Sequence, residues 1–131
     1  MKFVFRHRQP RRGMTLIEVT LVIAVLLSLI AVLFVGAVGY KRGSDRAMCI
    51  QNIASVQEAI RSYANLYQYN PGDTVTNLRD NIIGSDKFIQ YEPECRAGGN
   101  YTYAGDTIPS AGTAYLTCDI GDHVPNSVAG W

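Results

Sequence analysis

Residues 19–39 form a run of 21 positions without a single charged side chain, and this run limits what the rest of the chain can be. As a helix it rises roughly 31 Å at about 1.5 Å per residue, which matches a hydrocarbon core of roughly 30 Å. The charges around it are unevenly placed. The first thirteen residues hold Lys2, Arg6, Arg8, Arg11 and Arg12 and no acid, whereas the remaining 118 hold seven basic and eleven acidic side chains. By the positive-inside rule the N-terminus stays in the cytoplasm and the C-terminal part lies beyond the membrane. The chain has 131 residues. Once the helical part is set aside, only about 70 are left for a head, a size that ordinarily needs a staple or neighbours. A self-contained soluble enzyme is not expected. The acidic C-terminal part speaks weakly against nucleic-acid binding, because phosphate contacts need local basic groups.

Three fates of the run compete. An ordinary secretory signal has an apolar middle of about 7–15 residues, shorter than this one, although residues 35–37 offer a small-residue cut. A plain single-span anchor fits the length. A helix that leaves the lipid to pack with copies of itself fits the length and also accounts for Glu18. A carboxylate inside an apolar span costs roughly 2.5–3.5 kcal/mol and is by default a functional group. Cleavage between Gly13 and Met14 would place a new α-amine four residues before Glu18, at the positive end of the helix dipole. Between subunits the same pair would set the stagger of neighbouring helices. The bland alternative is a Glu that snorkels to water at the interface.

The string Arg12-Gly13-Met14-Thr15-Leu16-Ile17-Glu18-Val19, ahead of this apolar stretch, resembles the cleavage and methylation signal of type IV prepilins and type II secretion pseudopilins. The resemblance is close over residues 6–40 and a matter of pattern over 41–67. It implies a leader of residues 1–13 removed by a prepilin peptidase, with Gly13 as the last leader residue. Met14 would be the N-methylated mature terminus and Glu18 the acid used in methylation and assembly. It further implies an inner-membrane precursor with one span and its head outside the cytoplasm. An inner-membrane platform would then assemble it with other copies or related pilins. Met14 stands where Phe is usual, and Val35 where many major pilins have a helix-bending Pro. Gly36, Gly39 and Gly43 supply local helix weakness instead, at about 1 kcal/mol each. A structural filament subunit is the leading expectation. The alternative is a minor pilin or competence-type binding module whose head contacts DNA, a surface or an exported substrate.

The expected fold class is α+β, a long N-terminal helix packed on a small antiparallel sheet. Residues 14–40 form its membrane or filament-core half and residues 41–67 its amphipathic half. Cys49, Ile53, Val56, Ile60, Tyr63 and Tyr67 step by alternating fours and threes and predict one buried stripe. Gln51, Asn52, Ser55, Gln57, Glu58, Arg61 and Ser62 are expected to face water or a neighbour. Asn70-Pro71-Gly72-Asp73 ends the helix. In the head, residues 68–131, Asp73-Thr74 is placed to cap a short helix carrying Leu78, Ile82 and Ile83, stopped by Gly84. Residues 101–103 and 113–118 alternate like the strands of a hairpin.

Cys95 and Cys118 flank that hairpin on the side of the membrane where disulfides persist, and the expectation is that they pair. Closing a loop of about 24 residues would contribute roughly 3 kcal/mol in the chain-entropy model. A Cys95–Cys118–His123 metal site is the alternative, although His123 has no ligand partner at motif spacing. Cys49, on the apolar stripe, reads as a buried thiol. Asp106, Asp119 and Asp122 supply oxygen of the kind calcium takes, without EF-hand spacing; solvated loop charge is the alternative. No phosphate loop, nucleophile elbow or paired metal-binding His motif is present, and the two histidines, His7 and His123, assemble no triad. No catalytic residue and no cofactor beyond that calcium candidate is expected.

Overall fold

The computed structural model describes residues 13–131; of the expected leader, residues 1–13, all but Gly13 lies outside the described residues. The helix α1 runs Leu16–Tyr67. Its first turn closes where the Thr15 carbonyl accepts from the N–H groups of Glu18 and Val19. Thr20 and Ser28, the hydroxyl residues of the apolar half, donate back to the carbonyls of Ile17 and Val25. That keeps their polar groups paired without water, as a helix in an apolar setting requires.

The chain divides into two compact units, the first ending at Val38 and the second Gly39–Trp131. In the first, every described residue is exposed, and its helix is long and apolar enough to cross a membrane. In the second, α1 buries Cys49, Ile53, Val56, Gln57, Ala59, Ile60, Tyr63 and Ala64. The buried stripe therefore follows the expected 3–4 spacing but stops short of Tyr67, which is 58% exposed. The helix ends there: Tyr69 N–H donates to the Ala64 carbonyl, and Gln68 takes a left-handed φ of 60°. This is the left-handed stop that commonly closes helices. Asp73 then pins the turn at Pro71 by accepting from Asn70 N–H at 2.7 Å.

The short helix α2 spans Leu78–Ile82 and buries both end residues. Its cap is not Asp73 or Thr74 as expected from the sequence. Asn77 occupies the cap position without a side-chain bond, and the Leu78 N–H is met from afar by Asp106 Oδ1 at 3.1 Å. Strands β1, Tyr101–Tyr103, and β2, Leu116–Cys118, pair antiparallel with Tyr101 opposite Cys118 and Tyr103 opposite Leu116. The fold is α+β. A two-stranded ribbon this short has little stability of its own. It is held by a core in which Ile53, Val56 and Ile60 of α1 join Leu78, Ile82, Ile108, Tyr115 and Leu116.

The second strand is shorter than its alternating sequence predicts because α1 takes over its backbone. The Gln57 side chain, 3% exposed, donates from Nε2 to the Thr113 carbonyl and accepts at Oε1 from Tyr115 N–H. Gln57, expected to face water or a neighbour, meets a neighbour and serves residues 113–115 as an adjoining strand would. Asn52, under the same expectation, donates to the Glu94 carbonyl and to Tyr101 Oη. These polar residues face inward because the elements they meet are loops, whose carbonyl and amide groups need partners when covered.

Candidate functional site

Gly13 and Met14 precede the first turn of α1 and are both exposed, and Glu18 lies in that first turn. From Leu16 to Val38, sixteen large aliphatic or aromatic side chains are exposed. Covering such a side chain is worth about 1.5–3 kcal/mol, so leaving this segment in water is disfavoured by tens of kcal/mol. A Cβ built on Gly36, Gly39 or Gly43 would meet nothing within 4 Å, so the protomer's own packing does not require glycine there.

A second constellation lies in the head and was only partly legible in the sequence. Cys49 of α1, Cys95 of the loop after α2, Cys118 at the end of β2 and His123 of the following turn present their Sγ and ring-nitrogen atoms all within 4.8 Å of one another. Cys95 and Cys118, expected to form a disulfide, are free, as is Cys49. The structure does not set these two thiols apart from the third: all three converge with an imidazole. His123, 5% exposed, turns Nδ1 toward Cys95 Sγ at 3.4 Å and Nε2 toward Asp122 Oδ1 at 3.9 Å.

Local sequence explains how each ligand is aimed. Cys49 begins the buried stripe of α1, one helical period before Ile53. Cys95 opens a turn in which Gly98 N–H returns to the Cys95 carbonyl and Gly98 takes a φ of 84°. The N–H groups of Ala97 and Gly99 then donate to the Cys95 sulfur. Gly99 is held to glycine by close approach, since a Cβ there would stand 2.8 Å from each of Cys118 Sγ, Asp119 Oδ1 and Ile120 Cδ1. Cys118 is set by the ribbon register, opposite Tyr101. Asp119 fixes the next residue's path by accepting from both the backbone and side-chain nitrogen of Asn100. Tyr101 Oη donates to Cys49 Sγ at 3.2 Å.

The thiols differ electrostatically. Burial pushes the Cys49 pKa up to about 12, with the neighbouring Cys118 and Cys95 adding to the rise and the Tyr101 hydroxyl opposing it. At Cys95 burial also pushes upward, but the amides of Gly99 and Ala97 and the His123 ring outweigh it and bring the thiol down to about 7. Burial and the Cys49 sulfur raise the Tyr101 phenol above its ordinary range.

The three carboxylates considered for calcium do not form such a group. Asp106 caps α2, Asp119 is engaged by Asn100, and Asp122 lies beside His123. Among the described residues, the group with metal-ligand convergence is sulfur and imidazole, a soft donor set unsuited to calcium. Sequence reasoning named Cys95, Cys118 and His123 as an alternative site but left Cys49 out; its position at the head of the stripe was the available signal. Comparison of the chain with family models, with curated proteins and with solved structures gives no match.

Proposed function

We propose that the chain is a structural subunit of a helical filament of the type IV pilus or type II secretion pseudopilus kind. It is made as an inner-membrane precursor with its head outside the cytoplasm, cleaved after Gly13 by a prepilin peptidase and N-methylated at Met14. An inner-membrane platform then assembles it with other copies or related pilins. The observation that carries this reading is one juxtaposition. An exposed Gly13-Met14 bond directly precedes a helix with Glu18 in its first turn and sixteen exposed large apolar side chains after it.

The physics supports a helix that exchanges one apolar environment for another. Lipid covers the segment in the precursor, and sister helices cover it in the filament, so most of the apolar contact is retained on extraction. Glu18 is the one group that lipid disfavours and a filament can use. Paired with the α-amine of a neighbouring Met14, it fixes register and removes its own desolvation cost. The glycines at 36, 39 and 43 let backbones approach at a distance larger side chains prevent.

N-terminal mass analysis of material sheared from the cell surface tests the proposal. The expected species begins at Met14 and carries one methyl group. A chain beginning near residue 37 and released as a soluble monomer, or an intact leader in assembled material, refutes it. Replacing Gly13 by a bulky residue should leave an uncut precursor in the membrane.

A further inference from the structure

We propose that Cys49, Cys95, Cys118 and His123 bind one structural zinc ion that clamps α1 to the ribbon and the C-terminal turn. The donor set is the first ground. Three sulfurs and one imidazole nitrogen match the closed, four-coordinate sites that zinc occupies when its role is structural. A tetrahedron with ~2.3 Å Zn–S and ~2.0–2.1 Å Zn–N bonds has ligand–ligand edges of about 3.5–3.8 Å. The four ligand atoms lie within 4.8 Å of one another and the Cys95 Sγ–His123 Nδ1 edge is 3.4 Å, so shifts of an ångström or less complete it.

The surroundings of the ligands are the second ground. Metal-bound histidines commonly offer one ring nitrogen to the ion and the other to a carboxylate. His123 is oriented for this arrangement, with Nδ1 turned inward and Nε2 facing Asp122 Oδ1 at 3.9 Å, so that a small rotation of the exposed Asp122 side chain would close the bond. Binding displaces three thiol protons to solvent and changes no oxidation state. Zn²⁺ with three thiolates leaves one net negative charge. The donors that meet it are the Ala97 and Gly99 amides at Cys95 and the Tyr101 hydroxyl at Cys49. The missing Cβ of Gly99 provides the room in which Cys118 Sγ sits.

A disulfide explains less. Joining Cys95 to Cys118 uses two of the four groups and gives no reason for a buried third thiol and a buried imidazole on the same spot. Zinc uses all four and links residues brought from α1, the loop after α2, β2 and the C-terminal turn. It would thereby supply, in the reduced state, the staple that so small a head needs.

The test uses the full, untagged chain extracted in detergent from the membranes of the cells that make it, so that the protein has passed through its own redox environment. Elemental mass spectrometry should find one zinc per chain. Denaturation in EDTA without reductant, followed by alkylation, should label all three cysteines. A disulfide between any two of them, or a stoichiometric metal other than zinc, overturns the assignment. C49A and H123A should each lower zinc to less than a tenth of an equivalent, while H123C, which offers a fourth thiolate, should retain it. A Cys95–Cys118 disulfide would survive C49A and H123A, so unchanged behaviour in both also overturns the proposal. Should those variants fail to fold, cobalt(II) added to the demetallated wild-type chain decides the matter. Tetrahedral d–d bands with thiolate-to-cobalt charge transfer support the site, and octahedral cobalt refutes it. None of these readings depends on whether the protein enters a filament.

Discussion

Replacing Gln57 by alanine should unfold the head more readily than any exposed polar substitution on α1. Gln57 is 3% exposed, and its amide satisfies two backbone groups on the opposite segment, the Thr113 carbonyl at 3.0 Å and the Tyr115 N–H at 2.9 Å. The substitution removes both partners at once and leaves the Thr113 carbonyl and the Tyr115 N–H without a side-chain partner. A buried donor or acceptor left unpaired costs about 1–3 kcal/mol, so the pair predicts a loss of about 2–6 kcal/mol. For a unit in the 60–100-residue class each kcal/mol lowers the midpoint by about 4–8 °C, which makes the expected fall at least about 8 °C. Trp131, the sole tryptophan of the chain, packs against the head core and provides the signal. Its fluorescence in detergent-solubilised chain can be followed through thermal unfolding without interference from the apolar helix. E58Q, at an exposed position one residue on, is the control and should stay within about 0.5 kcal/mol of wild type. Gln57→Glu separates bonding from packing. Ionised, it keeps an acceptor for Tyr115 N–H but presents charge to the Thr113 carbonyl; protonated, it restores the donor. Its destabilisation should therefore shrink as pH falls toward the ordinary glutamic-acid range. If Gln57→Ala costs less than about 1 kcal/mol, the claim that this side chain substitutes for a strand is wrong.

Glu18→Ala should insert in the membrane and be cut after Gly13, yet yield few filaments; normal yield in sheared material would remove the register argument for Glu18. Gly99→Ala should destabilise the head by about 1–3 kcal/mol through overpacking, because its Cβ meets Cys118, Asp119 and Ile120 at 2.8 Å, and it should lower bound zinc in the same samples. Tyr115 gives a pH dependence with a defined sign. Burial, with Asp106 nearby, raises its phenol from 10.0 to about 12. The folded chain thus holds a proton that the unfolded chain loses earlier. This stabilisation is complete below about pH 10 and falls away as pH rises toward 12. Denaturant midpoints that fall from about pH 10 upward in wild type, and less steeply in Tyr115→Phe, are the expected result.

The parts of this fold that were legible in the sequence are those set by a period or by a breaker. The uncharged run, the stripe from Cys49 to Tyr63, the stop at Asn70-Pro71-Gly72-Asp73 and the Tyr101–Tyr103 strand all follow from local rules. What was not legible depends on contacts distant in sequence. Gln57 reads as facing either water or a neighbour until residues 113–115 are known to lie across from it. Asp106 caps a helix 28 residues before it, which no capping pattern anticipates. The thiol cluster shows the same division. Cys95 and Cys118 looked like a pair because they flank a hairpin, whereas the convergence of Cys49 depends on which end of the stripe meets the C-terminal turn. A two-residue pairing can be guessed from loop length, but a four-residue site built from four segments requires the tertiary arrangement.

The uneven distribution of order in the head bears on how it stays folded. The ribbon contributes three residue pairs, and the remaining polypeptide after α1 is largely loop, held where side chains of α1 reach its backbone. Two sets of restraints then act at different places. Ile53, Val56 and Ile60 anchor α2 and the ribbon through apolar contact, whereas Cys49, Cys95, Cys118 and His123 gather the loop after α2 and the C-terminal turn. If a bound ion supplies the second set, its removal should loosen that region first and leave the apolar core intact. Hydrogen exchange of the detergent-solubilised chain can resolve this. With a chelator present, amides of residues 95–100 and 119–124 should lose protection while those of residues 56–60 continue to exchange through global unfolding. Uniform loss of protection throughout the head would mean that the thiol–imidazole cluster and the core form one cooperative unit. No change at all would mean that the cluster holds nothing the chelator can remove.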